Sequence, residues 1–191
     1  MELSYIDKIK GFLFTPVETL IAHRDEALKD AFKYLIVLIA IFAVFEAIVI
    51  SLFGALSPAF PGLSALVLFL ISIVFGIIGG LIMVVIGGLI LHLFVVIVGG
   101  RRGLSATIKA VIYAATPAIL FGWIPVVGLV ALIWALVLGV LAIRELHEIS
   151  TGRAAVAVVI PFAVLVILVI LAAAFFMIAT VTTGPAFVGP Y

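Results

Sequence analysis

The chain contains no cysteine, which excludes disulfides, thiolate metal sites and cysteine nucleophiles, and leaves redox chemistry silent about compartment. Charge is scarce as well. Ten Lys and Arg and nine Asp and Glu make up 10% of 191 residues and leave a net charge of +1. Such a balance excludes a nucleic-acid partner, because a duplex-binding face needs a marked basic excess to displace counterions. The signatures of nucleotide and hydrolase chemistry are missing too: no phosphate-binding glycine loop, no His-Glu-x-x-His zinc helix and no Gly-x-Ser-x-Gly elbow. Gly99-Gly100-Arg101-Arg102-Gly103 lacks the flanking strand that a nucleotide loop requires. The expectation is a non-enzymatic protein without a cofactor. No cleavable signal peptide is expected, since about thirty charge-bearing residues precede the first apolar stretch, so the first crossing is the targeting signal.

What the chain has in abundance is apolar surface. Hydrophobic residues make up 68% and mean hydropathy is +1.58, more than a water-soluble domain can bury. A bilayer core of about 30 Å takes roughly 20 apolar residues per helix, which divides the chain into spans near 34–53, 66–98, 106–122, 125–143 and 154–180. Charge alternates with the loops. Lys8, Lys10, Arg24, Lys29 and Lys33 precede span one, Arg101, Arg102 and Lys109 follow span two, Arg144 and Arg153 follow span four, and the other loops carry no Lys or Arg. The positive-inside rule then predicts a cytoplasmic N-terminus, an extracytoplasmic C-terminus and a multi-pass protein of the plasma membrane. The fold class expected is an all-α integral membrane protein: an interfacial amphipathic segment at 1–33, a five-helix transmembrane bundle at 34–180 and an extracytoplasmic tail at 181–191.

Span two, at about 33 residues, is near 50 Å long as one helix. Lys33 and Arg101 must lie on one side, so it crosses an odd number of times, and once is the economical reading. Gly79-Gly80 and Gly87-Gly88 are the expected bend points, and with Ser72 and Gly76 they are also the expected helix-packing positions. Ser72, Gly76 and Gly80 recur every four residues, a small-residue stripe that lets another helix approach closely. A broken helix lining a substrate cavity is the alternative.

Within 1–33, Tyr5, Ile6, Ile9, Phe12, Leu13, Val17, Leu20 and Ile21 recur at helical spacing opposite Asp7, Lys8, Lys10 and Glu18, as an interfacial helix requires. Thr15-Pro16-Val17-Glu18 has the pattern of a capping box, predicting two short helices with a corner at Phe14-Thr15.

Ionisable residues inside the membrane mark chemistry, because burying them is expensive. Glu46 and His92 qualify, about 18 Å and about 10 Å from the basic ends of their helices at 1.5 Å per residue. Glu46 is read either as a protonated, hydrogen-bonded structural acid or as a proton- or cation-handling group. His92 is read as an interhelical hydrogen-bond partner or a metal ligand. Tyr113, Thr116 and Pro117 predict a kink in span three, with the Thr116 hydroxyl free for local bonds, and Pro161 a bend in span five. Glu145, His147 and Glu148 form the one cluster with metal-ligand chemistry, although Arg144 and Glu148 at i,i+4 also read as a surface pair. Arg101, Arg102, Arg144 and Arg153 are the residues expected to face anionic lipid or a partner.

Gly11-Phe12-Leu13-Phe14-Thr15-Pro16, the five spans, Tyr113-Ala114-Ala115-Thr116-Pro117, and Trp134 followed by Arg144-Glu145-Leu146-His147-Glu148-Ile149-Ser150-Thr151-Gly152-Arg153-Ala154 together resemble the prokaryotic branch of the YIP family, named for interaction with Ypt/Rab GTPases. The resemblance covers nearly the whole chain. It implies a five-helix bundle with a cytoplasmic N-terminus, in a family whose eukaryotic relatives are associated with vesicle traffic and membrane shaping. The region before span one is short, and the Asp-Leu-Tyr-Gly-Pro type motif of the eukaryotic branch is absent, so Rab binding is not carried over.

Two functions are in contention. One is a scaffold or adaptor whose basic cytoplasmic face meets membrane lipids or a cytoplasmic protein, with homo-oligomers left open. The other is a small transporter or channel, proton or cation coupled, using Glu46, His92 and the Thr116-Pro117 kink.

Overall fold

The computed structural model describes residues 4–54 and 62–183; the tail beyond 183 and most of the loop at 54–64 lie outside the described residues. Eight α-helices and no strands occur among them: α1 (Tyr5–Phe14), α2 (Pro16–Ala22), α3 (Leu28–Gly54), α4 (Ala65–Ile97), α5 (Gly103–Ala114), α6 (Thr116–Phe121), α7 (Val127–His147) and α8 (Thr151–Thr183). Five segments are long and apolar enough to cross a bilayer, namely α3, α4, α5 with α6, α7, and α8 as far as Thr180. The chain is an all-α, multi-pass membrane bundle.

The N-terminal corner falls where the sequence places it, at Thr15, but the capping box does not form. The Thr15 hydroxyl turns back to the Gly11 carbonyl at 3.5 Å, closing α1, and makes no side-chain cap for α2, which starts on Pro16. Both short helices pack onto the bundle, with Phe12 and Leu20 buried and Ile6, Phe14 and Ile21 turned outward.

Helix α4 is continuous through both glycine pairs, so the broken-helix alternative is set aside. Its ends are chemically marked: the Ser64 hydroxyl accepts from the Val67 N–H at 3.3 Å, and at the other end Gly99, at φ +97°, lets Gly100 donate to the Val95 carbonyl and Gly99 to Val96. The small-residue stripe works as packing at some positions only. A Cβ on Gly76 would lie 3.2 Å from the Ala43 Cβ, one on Gly80 3.2 Å from Ile39, and one on Gly88 3.2 Å from Ile108, so these glycines seat α3 and α5 against α4. Gly79 and Gly87 face open space and are not packing positions, because they point away from the α3 and α5 seams. Ser72 is half-buried on the same helix.

Span three divides at Ala115 into α5 and α6, as Pro117 in the second helix's first turn predicts. α5 is the central helix, with eight of twelve residues buried. The α6–α7 connection ends in a γ-turn: Val126 has φ 68° and ψ −54°, and Val127 donates to the Pro125 carbonyl at 2.8 Å. α8 runs on through Pro161. Its early residues Ala154, Ala157 and Val158 are buried, whereas residues 163–178 are all exposed.

Candidate functional site

Polar chemistry gathers at one end of the bundle, where α1, the α2–α3 turn, the α4–α5 loop and the α7–α8 loop meet. Its centre is Glu26. Lys8 donates to both carboxylate oxygens at 2.7 and 2.6 Å, and the Tyr113 hydroxyl donates to Oε2 at 2.5 Å. The Lys8 ammonium also lies 4.9 and 5.0 Å from the ring centroids of Tyr34 and Tyr113, a cation–π arrangement closed by Phe12 stacked on Tyr113. Lys109 reaches out of α5 to the backbone carbonyls of Arg24 and Glu26. The Tyr34 hydroxyl meets Thr116 Oγ1 at 3.0 Å where Pro117 interrupts the helix. Lys8, read from the pattern as part of the solvated face, is thus 5% exposed, because the bundle supplies a carboxylate and two aromatic faces for it.

Around this knot runs an outer ring of charge. Arg24 donates to Glu148 at 2.8 Å and lies 3.9 Å from Glu145; Arg102 donates to the same oxygen of Glu148; Arg144 pairs with its neighbour Glu145. The expected i,i+4 pair of Arg144 and Glu148 is not made. The helix ends at His147, and Glu148, at φ 55° in the left-handed region, carries its carboxylate away from the helix face. The Arg102 hydrogen bond and charge hold the Glu148 carboxyl below its ordinary value, and Glu148 in turn raises Arg102.

His92 of α4 and His147 of α7 meet through a third residue. Thr107 Oγ1 lies 2.8 Å from His92 Nδ1 and 3.0 Å from His147 Nε2. The hydroxyl has one hydrogen, so it donates to one imidazole and accepts from the other. His92 is therefore an interhelical hydrogen-bond partner. His147 is 4% exposed, and its Nδ1 has no hydrogen-bond partner among the described residues.

Glu46 stands apart from all of these. It lines an apolar cleft of about 320 Å³ with Phe42, Gly76, Gly80 and Ile119, and makes no hydrogen bond among the described residues. Glu46, His92 and the Tyr113–Thr116 pair are not gathered into one path. Nor do Glu145, His147 and Glu148 converge: among the described residues no group of three His, Asp or Glu side chains is placed to hold a metal, because arginines take both carboxylates and Thr107 takes the imidazole. Arg101 and Arg153 are exposed, without an acidic partner among the described residues. With Arg102, His147 and Glu148 they line a cleft of about 510 Å³.

The description Yip1 domain attaches to a family model that matches residues 10–186, almost the full length of this bundle. The chain belongs to the Yip1 domain family. No curated protein and no solved structure matches the chain.

In this Yip1 domain the residues that sequence reasoning passed over are Glu26, Lys8, Lys109, Thr107 and Tyr34. Glu26 sits in a charged run, Asp25-Glu26, that reads as solvated turn. The signal available was Lys109, a lone cation within the apolar pattern of span three, which demands acceptors from a neighbouring element.

Proposed function

We propose that this Yip1 domain is a non-enzymatic scaffold or adaptor of a cell membrane, with its charged end in the cytoplasm as the docking face for lipid or a protein partner. The observation that carries the reading is the pairing of a rigid platform with unspent charge. Glu26, Lys8, Lys109 and Tyr113 fix the α2–α3 turn to the bundle, while Arg101 and Arg153 project beside it without acidic partners among the described residues. Unpaired exposed guanidinium groups on an ordered frame suit recognition of anions, which need fixed donors.

Conduction is less well supported. A route for ions needs a continuous polar or water-filled lining. The cleft that holds Glu46 is apolar, and none of His92, Tyr113 and Thr116 lines it.

The test places a photo-crosslinking residue at position 101 and, as a control, at Leu129 at the far end of α7, in cells. A discrete adduct from position 101 that is lost on Arg153→Glu, with none from position 129, is the expected result. Absence of any adduct at 101 overturns the protein-partner half of the reading, and proton or cation flux in proteoliposomes that Glu46→Gln abolishes overturns the whole of it.

A further inference from the structure

The cleft between the α4–α5 loop and the α7–α8 loop combines features that neither a surface salt bridge nor helix packing explains. Three guanidinium groups, Arg101, Arg102 and Arg153, border it. The one carboxylate there, Glu148, is engaged twice, by Arg102 and by Arg24 from outside the cleft, so positive charge is in excess. The first turn of α8, a helix of 33 residues, opens beside it with backbone N–H groups that have no intrahelical acceptor. The wall includes His147, 4% exposed, whose Nδ1 is buried against Gly100 without a partner among the described residues; a Cβ on Gly100 would lie 3.0 Å from that nitrogen. When Nε2 accepts the Thr107 hydroxyl, Nδ1 carries the hydrogen and becomes a donor lacking an acceptor, and Thr107 accepts from His92. In that arrangement the exposed guanidinium groups, the first-turn N–H groups of α8 and His147 Nδ1 are all donors, which suits an anion.

A second cleft continues the first toward the membrane. It has a volume of about 540 Å³, shares Gly99 and Arg153 with the charged one, and is otherwise walled by Ile97, Val98, Gly152 and Val156 between the end of α4 and the start of α8. Ile97 and Val156 are 79% and 48% exposed. A charged chamber opening onto an apolar trough has the amphiphilic profile of a lipid, which a free phosphate would leave half unused.

We propose that these joined clefts bind one anionic phospholipid, its phosphate between Arg101, Arg102 and Arg153 and an acyl chain in the trough between α4 and α8. The proposal rests on the charged end being the docking face and names its ligand. A zwitterionic headgroup is disfavoured, because its ammonium would meet an arginine cluster whose single acid is already taken.

The full chain, purified in mild detergent, is titrated with phosphatidylglycerol, phosphatidylcholine or inorganic phosphate and followed by native mass spectrometry. One phosphatidylglycerol per chain is expected, in preference to phosphatidylcholine. Arg101→Gln with Arg153→Gln should weaken it roughly 30-fold, at about 1 kcal/mol for each arginine near a lipid surface. Both residues are exposed and have no acidic partner among the described residues, so the thermal midpoint should stay unchanged, which separates lost binding from lost folding. Val156→Trp, which fills the trough, should also displace the lipid. Equal binding of phosphatidylcholine, or indifference to the arginine pair, overturns the proposal. So does an arginine-dependent inorganic phosphate adduct together with phosphatidylglycerol binding that Val156→Trp leaves intact, since free phosphate is then the ligand. If lipid binding fails while crosslinks from position 101 persist, the lipid assignment alone falls; if lipid binds and no crosslink forms, the protein-partner half of the functional reading falls.

Discussion

The ammonium of Lys8 and the carboxylate of Glu26 face each other at 2.6 Å across 18 residues, with side-chain exposures of 6% and 20%. A pair this far out of water stands or falls together. Losing one member strands the other, at about 3 kcal/mol or more. Glu26→Gln and Lys8→Ala should each lower the unfolding midpoint of the solubilised protein markedly, and the double variant Lys8→Ala with Glu26→Gln should cost less than the two single losses combined. Additive costs would mean that the two groups do not interact.

Glycines on α4 should separate into two classes. Gly76→Val drives new atoms into Ala43 and should destabilise by about 1–3 kcal/mol. Gly79→Ala and Gly87→Ala meet open space and replace a poor helix former, so they should leave stability unchanged or raise it by up to about 1 kcal/mol. Thermal unfolding of the three variants in one detergent distinguishes the classes.

Acid should loosen the outer ring of charge before it reaches the apolar core. The Glu148 carboxyl is held below its ordinary value by Arg102, so its contribution to stability is complete above that ordinary value and is lost as pH falls through the lowered one. The unfolding midpoint should fall more steeply below about pH 4.5 for the native chain than for Glu148→Gln, the ordinary value being 4.5. Parallel pH profiles would remove Glu148 from the account.

Val126 occupies a γ-turn at φ 68°, a region hostile to a β-branched side chain, and is 75% exposed. Val126→Gly should therefore stabilise, by about 1 kcal/mol, since it relieves strain without removing buried contacts. A drop in midpoint would show that the side chain is needed there.

The absence of cysteine allows the orientation to be read directly. Single cysteines at Lys10 and Val126, on opposite ends of the bundle, should react oppositely with a membrane-impermeant maleimide in intact cells: position 126 labelled at once, position 10 only after permeabilisation. The reverse pattern would invert the proposed topology.

The sequence makes the crossings legible because hydrocarbon imposes length and composition on each of them, and the alternation of Arg and Lys among loops supplies parity. The corner at Thr15 and the break ahead of Pro117 are legible for the same reason: proline has one φ and no N–H. The partners of Glu26 are not. Lys8, Tyr113 and Lys109 lie 18, 87 and 83 residues away, and no periodicity encodes a contact of that range. His92 and His147 illustrate the same limit, because their link is a threonine that looks like any other small polar residue in a span. Along α4, Gly76 and Gly79 are both expected from the sequence to pack, and only the position of α3 tells them apart.

The last helix has a mechanical consequence. Ala154, Ala157 and Val158 are buried against the bundle, whereas every residue from 163 to 178 is exposed. A 30-residue span is about 45 Å long, well beyond a hydrocarbon layer of about 30 Å, and it must lean. Buried near its root and exposed beyond it, it leans as a lever with its fulcrum beside Arg153, and bilayer thickness more than side-chain burial sets the angle.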